Sequence, residues 1–380
     1  GVGGQWERAL SLLEGMEQRG VAPNVISFSA AISACEKCGK WERALSLLEE
    51  MQQYSIEPDV IICSAAISAC EKGGKWERAL SLLEEMQGCG VAPNVFSYSA
   101  AISACEKGGQ WERGLALLEQ MQRCGVEPSV FSFNAAISAC EKGGRWESAL
   151  SLLEEMQRRG VEPGVISFSA AISACGKGGQ WERALSLLEE MEHRGVEPSV
   201  FSFSAAIQAC AGAGQPEAAL RIFGDLEASS SNNANIVSFN AVLDALGGDQ
   251  VRARTLWKLG CSRGCYTDFS WWGDTPQLDL HNLSEGAAET AVRWWLEEAV
   301  PGRVAAATPP HETPIRLELI TGWGKSRRAT GDGDVRRRVE RVLCAMGAET
   351  LPTANPGLLV VDAERWLILW ERATQSAEGT

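Results

Sequence analysis

The sequence predicts an all-α solenoid of 35-residue helix-turn-helix units followed by a small α/β sandwich domain. Three observations predict it. Trp6, Trp41, Trp76, Trp111, Trp146 and Trp181 stand at a constant interval of 35 residues, each inside a phrase close to SFSAAISACEKGGKWERALSLLEEMQ. Units of that length bury their apolar faces only by stacking on copies of themselves. Within the phrase, apolar residues fall at helical spacing. Beyond residue 260 the period vanishes, and short strand-like runs alternate with helical stretches, as in a compact α/β domain.

Each unit reads as two helices. In the first, Phe28, Ala31, Ile32 and Cys35 follow the i, i+3, i+4, i+7 rule and make one apolar stripe. Ser27, with Ser97, Ser132, Ser167 and Ser202 in the same place, is the expected N-cap. Pairs such as Gly73-Gly74 end the helix. In the second helix Trp41, Ala44, Leu45 and Leu48 form the matching stripe. A Gly-Val-Glu-Pro type of segment then stops it, because proline cannot extend the hydrogen-bond ladder.

Counted from the residue after that turn, six units occupy 25–59, 60–94, 95–129, 130–164, 165–199 and 200–235. Residues 1–24 are the second half of a truncated unit, and the opening Gly1 in mid-repeat suits a fragment without its N-terminus. A Ser/Asn-rich excursion at 229–235 loosens the sixth unit. Residues 236–260 keep the opening phrase and lose the rest, as a degenerate capping repeat does. Residues 261–276 read as a linker. The α/β part spans 277–373: a strand at Gln277–Leu280, a helix at Ser284–Ala299, a strand at Ile315–Ile320, a Gly- and Arg-rich loop, a helix at Asp334–Met346, a strand at Leu358–Val361 and a final helix. Residues 374–380 are a tail.

Charge and cysteine narrow the function classes. A net charge of −14 argues against non-specific nucleic-acid binding, which counterion release reserves for basic surfaces, but leaves room for a local groove. No stretch approaches the roughly 18 apolar residues of a membrane helix. Of the thirteen cysteines, Cys35, Cys70, Cys105, Cys140, Cys175 and Cys210 recur at the repeat period and read as small buried hydrophobes. Cys35-Glu-Lys-Cys38 has CxxC spacing once only, and Cys261 and Cys265 lack a partner pair, so no metal centre is expected. A reducing compartment fits.

Two-helix units with proline near the end and an alanine-rich first helix, phase-locked over residues 1–260, resemble the pentatricopeptide-repeat family. The resemblance implies a concave surface that holds single-stranded RNA, one base per repeat. The fifth and last residues of each unit would read the base: Ser29/Asp59, Ser64/Asn94, Ser99/Ser129, Asn134/Gly164, Ser169/Ser199 and Ser204/Asn235. The second residue would wedge between bases, giving the set Ile26, Ile61, Phe96, Phe131, Ile166 and Phe201. Lys37, Lys72, Lys107, Lys142 and Lys177 recur where family members touch the RNA backbone.

Aspartate only accepts hydrogen bonds, so Asp59 suits guanine donors, while Asn94 both donates and accepts and suits adenine. The implied site runs 5′ to 3′ as G, A, A, pyrimidine, A, A. The family serves chloroplasts or mitochondria, in RNA processing or stabilisation. Read singly, the serines equally describe a solvated helix face, and the lysines could pair with nearby glutamates. A peptide-binding scaffold of tetratricopeptide type with a non-catalytic C-terminal domain is the alternative; its period of about 34 residues is one short.

Further on, Leu278-Asp279-Leu280-His281 and Thr321-Gly322-Trp323-Gly324-Lys325, followed by GDGDVRRRVERVL and NPGLLVV, resemble the small MutS-related (Smr) domain. The resemblance implies nucleic-acid binding and, in some members, endonucleolytic cutting. Strand alternation puts Leu278 and Leu280 on one face and Asp279 and His281 on the other. Thr321, Gly322, Gly324, Arg327 and Arg328 would make a phosphate loop, its glycines allowing close backbone approach.

In a cutting mechanism His281 would be acid or base, Asp279 would orient it, and Lys325 would stabilise phosphorane charge. A divalent metal is compatible with that chemistry, though the sequence offers no dedicated cage. Two positions depart from the pattern: Asn282 replaces the glycine after LDLH, and Lys325-Ser326-Arg327 replaces a nearby histidine. Gripping RNA without cutting it therefore stands beside cutting.

Overall fold

A computed structural model of the chain describes residues 5–229, 234–266, 270–272, 275–301, 316–321, 332–353, 355, 357–362 and 366. The chain divides into two compact units, Gly1–Pro198 and Ser199–Thr380. The division falls inside the repeat array, not at the change of sequence pattern.

The first unit is helical among its described residues. After α1 (Gln5–Gln18) come pairs: α2 (Val25–Lys37) with α3 (Trp41–Gln53), α4 (Val60–Lys72) with α5 (Trp76–Gly88), and α6 (Val95–Lys107) with α7 (Trp111–Arg123). Two more follow, α8 (Val130–Lys142) with α9 (Trp146–Arg158) and α10 (Val165–Lys177) with α11 (Trp181–His193). The first helices touch one another in series, α2 on α4, α4 on α6, α6 on α8 and α8 on α10. The second helices make no comparable contact among themselves, so the first helices form the continuous packed row of this unit. The predicted stripe is its core: Phe28, Ala31, Ile32 and Cys35 are all at most 1% exposed.

Caps differ from expectation in an instructive way. Each first helix starts three residues earlier than the expected serine cap implies. Asn24, Asp59, Asn94, Ser129 and Gly164 therefore take the N-cap position, and Ser27, Ser97, Ser132 and Ser167 sit three residues inside the helix. Ser27 is no cap; it closes a capping box, its Oγ accepting from Asn24 N at 2.9 Å while Asn24 Oδ1 accepts from Ser27 N at 3.0 Å. The helix ends as the paired glycines foretold, with Gly73 at the C-cap and Gly74 left-handed at φ +67°.

The tryptophans stitch successive pairs together. A Cβ on Gly108 would lie 2.3 Å from Trp76 Cδ1, so glycine is what lets the ring seat there. Arg113 covers the same ring at 4.8 Å.

Four of the periodic thiols carry a testable consequence. Burial pushes Cys70, Cys105, Cys140 and Cys175 from 9.0 up to about 11, with a nearby arginine pulling each partly back. The folded chain keeps protons that the unfolded chain releases. Stability conferred by these thiols is therefore complete below the unfolded value and is lost as pH rises through the folded one. Urea midpoints should fall between pH 9 and pH 11. A midpoint that stays level across that window contradicts buried, protonated thiols.

The second unit opens with α12 (Val200–Gly212), α13 (Pro216–Ala228), α14 (Ile236–Leu246) and α15 (Gln250–Ser262). A five-stranded sheet follows in the order β1-β2-β3-β5-β4, from β1 (Ser270–Trp272), β2 (Thr275–Asp279), β3 (Arg316–Ile320), β4 (Thr350–Leu351) and β5 (Leu358–Asp362). The pairing of β2 with β3 is parallel, and the others are antiparallel. The parallel step spans α16 (Glu285–Trp294), which continues as a π-helical turn at Trp295–Ala299 and packs on α17 (Asp332–Ala345). Three predicted strands and two helices appear within a few residues of their expected places; β1 and β4 do not appear in the sequence reading. The final helix expected after Val361 lies outside the described residues save Trp366.

Within this unit α14 and α15 pack directly on α16. Arg254 pairs with Glu297 and Glu298, and Lys258 reaches Glu298 at 2.6 Å. Gly286 approaches α14 so closely that a Cβ would lie 2.7 Å from the Leu243 carbonyl. The last helical pair and the α/β part thus share one interior, where a linker was expected at 261–276.

Candidate nucleic-acid interface

Each first helix begins by displaying a large apolar side chain to solvent. Ile26, Ile61, Phe96, Phe131, Ile166 and Phe201 are 60–77% exposed, while Phe28, Tyr98, Phe133, Phe168 and Phe203, two residues on in five of the units, are buried in the stripe; after Ile61 the buried residue is Ile62. Scattered surface hydrophobes need no explanation. A row repeated at every unit does, because each copy forgoes burial worth about 1.5–3 kcal/mol. In the first unit Ile61, Phe96, Phe131 and Ile166 border one groove of about 990 Å³, together with Ser64, Ser99, Ser129 and Asn134.

The fifth-position residues stand beside that row. Ser29, Ser64, Ser99 and Asn134 are half-buried. Each of the last three faces the capping-box serine of the next pair: Ser64 Oγ lies 2.8 Å from Ser97 Oγ, Ser99 Oγ 2.8 Å from Ser132 Oγ, and Asn134 Oδ1 accepts from Ser167 Oγ at 2.6 Å. That bond leaves Asn134 Nδ2 without a partner among the described residues. Ser169 and Ser204 are only 4% exposed, so at these two units the reading hydroxyl is almost closed off.

The last residue of each unit is the N-cap, and capping fixes what it can offer. Asp59 Oδ1 accepts from Ile62 N at 2.9 Å, which leaves Oδ2 as a spare acceptor. Asn94 Oδ1 accepts from Phe96 N at 2.9 Å and Ser97 N at 3.0 Å. Only the amide oxygen can do this, so the Asn94 NH₂ is the group left over, a donor. Ser129 and Ser199 cap with their single hydroxyl, Asn235 caps as Asn94 does, and Gly164 has no side chain to offer.

Four of the five lysines are already engaged. Lys72 meets Glu36 at 2.7 Å, Lys107 meets Glu71 at 2.5 Å, Lys142 meets Glu106 at 2.7 Å and Lys177 meets Glu141 at 2.8 Å. Ser68, Ser103 and Ser173 donate to Glu36, Glu71 and Glu141. Glu36, Glu71 and Glu106 also line the groove. Sequence reasoning allowed that the lysines could pair with nearby glutamates but did not identify this row, although it recurs at the same 35-residue phase. Half-exposed pairs of this kind hold with only about 0.2–1 kcal/mol, so a phosphate can compete for the lysine. Lys37 has no ion pair among the described residues.

In the second unit Leu278 and Leu280 are each 2% exposed, while Asp279 and His281 face solvent, as alternation requires. His281 Nδ1 lies 2.5 Å from Asp279 Oδ1, which also accepts from His281 N at 2.8 Å. The carboxylate can only accept, so Nδ1 is the donor of the pair and Nε2 is the ring nitrogen left over. Asn282 accepts the left-handed conformation at φ +64° in place of glycine.

Thr321 is buried, its Oγ1 donating to the Gly357 carbonyl at 3.2 Å, which makes it a structural tie. Gly322, Gly324, Lys325, Arg327 and Arg328 lie outside the described residues. Among the described residues no three His, Cys, Asp or Glu side chains gather to hold a metal.

Comparison with known proteins accounts for the helical part. The PPR repeat family matches residues 23–61, 128–177 and 163–212, the pentatricopeptide repeat domain 2–37 and 46–107, and the PPR repeat 96–126 and 201–230. Two pentatricopeptide repeat-containing proteins of Arabidopsis thaliana are 30% identical over 156 residues and 28% over 116, covering 38% and 27% of this chain. The chain spans only 17% and 12% of the length of those relatives.

Among solved structures, the pentatricopeptide repeat protein PPR10 in complex with an 18-nucleotide psaJ RNA element is similar with a TM-score of 0.65 at 19% identity, over 98% of this chain and 49% of that one. A structure of the pentatricopeptide repeat protein PPR10 from maize gives 0.51 at 23% identity, over 81% and 43%. At such identity the likeness is one of fold. With three repeat descriptions matching in phase and the helical pairs stacked as the period demands, the repeat region of this chain belongs to the pentatricopeptide-repeat family.

Proposed function

We propose that residues 25–235 select a short single-stranded RNA, one base per unit, and that the Smr-like part acts on the same strand. The observation that carries this reading is the row Ile26 to Phe201, exposed at every unit beside a row of small polar side chains. Flat bases are the ligand such a comb fits: an apolar side chain slides between two of them and the neighbouring polar group meets their edges. A duplex would hide those edges, so the strand must be single. The RNA held by the structurally similar PPR10 supports the same reading. The organelle setting, chloroplast or mitochondrion, follows from the family alone.

Electrostatics then shape the affinity. With −14 net charge and four of the five lysines held by glutamates, base contacts and stacking carry most of the binding. Glu106→Gln should free Lys142, tighten RNA binding and steepen its salt dependence by about 0.7 in log–log slope. An unchanged slope would remove Lys142 from the RNA backbone.

For the α/β part, the Asp279–His281 pair is an acid–base device that could serve phosphodiester cleavage. A divalent metal would add charge stabilisation, with Asp279 as the ligand to hand. Filter binding with short RNAs at moderate salt tests the first half; retention of peptide but no RNA selects the scaffold alternative. A labelled-RNA time course comparing wild type with His281→Ala tests the second. Equal cleavage by both removes His281 from the chemistry.

A further inference from the structure

Asn240 is the fifth residue of the degenerate unit 236–260, the place where Ser64, Ser99 and Asn134 stand in theirs. Its surroundings differ from all of them. Asn240 Nδ2 donates to the Asn282 carbonyl at 2.8 Å, and its Oδ1 accepts from Tyr266 OH at 3.0 Å. Both polar atoms of the amide are engaged, and Ser284 Oγ binds its backbone carbonyl at 3.3 Å. The partner turn is firmly seated: Gly286 N donates to Asp244 Oδ1 at 2.8 Å, and Tyr266 stacks on Trp257 at 4.2 Å. The occupied reading position is thus filled by the residue directly after His281.

We infer that the α/β part closes the reading track and sets its register. The His281–Asn282 turn takes the place of a base at unit 236–260, so readout ends with the pair Ser204/Asn235. The strand then leaves past Asp279 and His281, which meet the first sugar–phosphate link beyond that base, the 3′ flank in the polarity of the proposed site. Asp279 and His281 are each about half exposed and lie one to three residues from the seated turn, so they cannot wander from it. The inference rests on the RNA reading of the repeats and adds to it a fixed distance between recognition and the acid–base pair.

A photocrosslinking amino acid in place of His281, in the full chain, reports the register on an RNA carrying the proposed site with tails on both sides. Crosslinks should concentrate on the first one or two nucleotides beyond the base at Ser204/Asn235. Crosslinks on the opposite tail, or spread evenly along the RNA, would overturn the inference while leaving repeat recognition intact. In parallel, Asn240→Ser should leave base preference unchanged at every position of a randomised RNA pool; a new preference one step beyond Asn235 would show that Asn240 reads a base and would overturn it too. Failure of the wild-type protein to retain any RNA would instead strike the reading on which the inference rests.

Discussion

Phe131→Ala and Phe133→Ala, two residues apart on one helix, should have opposite consequences. Phe133 is fully buried in the stripe of α8, and its truncation should cost about 3–5 kcal/mol. Because each repeat is held mainly by its neighbours, a central loss of that size should split the melting transition. Phe131 is 77% exposed on the groove, so its truncation should change stability by less than about 0.5 kcal/mol. It should instead weaken RNA binding by about 1–3 kcal/mol, the usual worth of a base–aromatic stack. Thermal unfolding and fluorescence anisotropy on the same two variants separate the roles. Unaltered RNA affinity in Phe131→Ala would mean the exposed row is not a base comb.

Asp59→Asn should change which base is chosen without changing stability. Asparagine caps a helix as well as aspartate does, so α4 keeps its start. The residue must then turn its oxygen to Ile62 N, as Asn94 does to Phe96 N, leaving a donor where Asp59 left an acceptor. Preference at that register should pass from guanine toward adenine. Discrimination of about 1.5–3 kcal/mol, the worth of a hydrogen bond to a charged group, corresponds to at least tenfold. Affinities for four RNAs differing at one nucleotide measure it, and a ranking that does not move would separate capping from readout.

How much of this was legible depends on range. Phe28, Ala31, Ile32 and Cys35 announce a buried stripe because helical periodicity is local and repeated, and the structure places all four in the core. Asp279 and His281 were legible as a pair because strand alternation is equally local. Ser27 misled as an N-cap since a capping box has polar residues at both ends, and only the backbone shows which end is outside. Strands of three and two residues, β1 and β4, are too short to carry a pattern.

Partners distant in sequence were beyond reach altogether. Phase alone tells that Lys107 and Glu71 recur, not that they touch across 36 residues. Nor can it tell that Asn240, written like a reading residue, is spent on Asn282. Ser169 and Ser64 share one phrase yet differ in exposure, because a hydroxyl is short enough for its neighbours to cover.

Selection from a randomised single-stranded RNA pool tests the central claim most directly. The account predicts enrichment of a six-nucleotide motif, one position per unit from 25 to 235, opening with G then A and strongest at the positions facing Asp59 and Asn94. Recovery of RNA with no enriched motif, or no recovery at all, would contradict it.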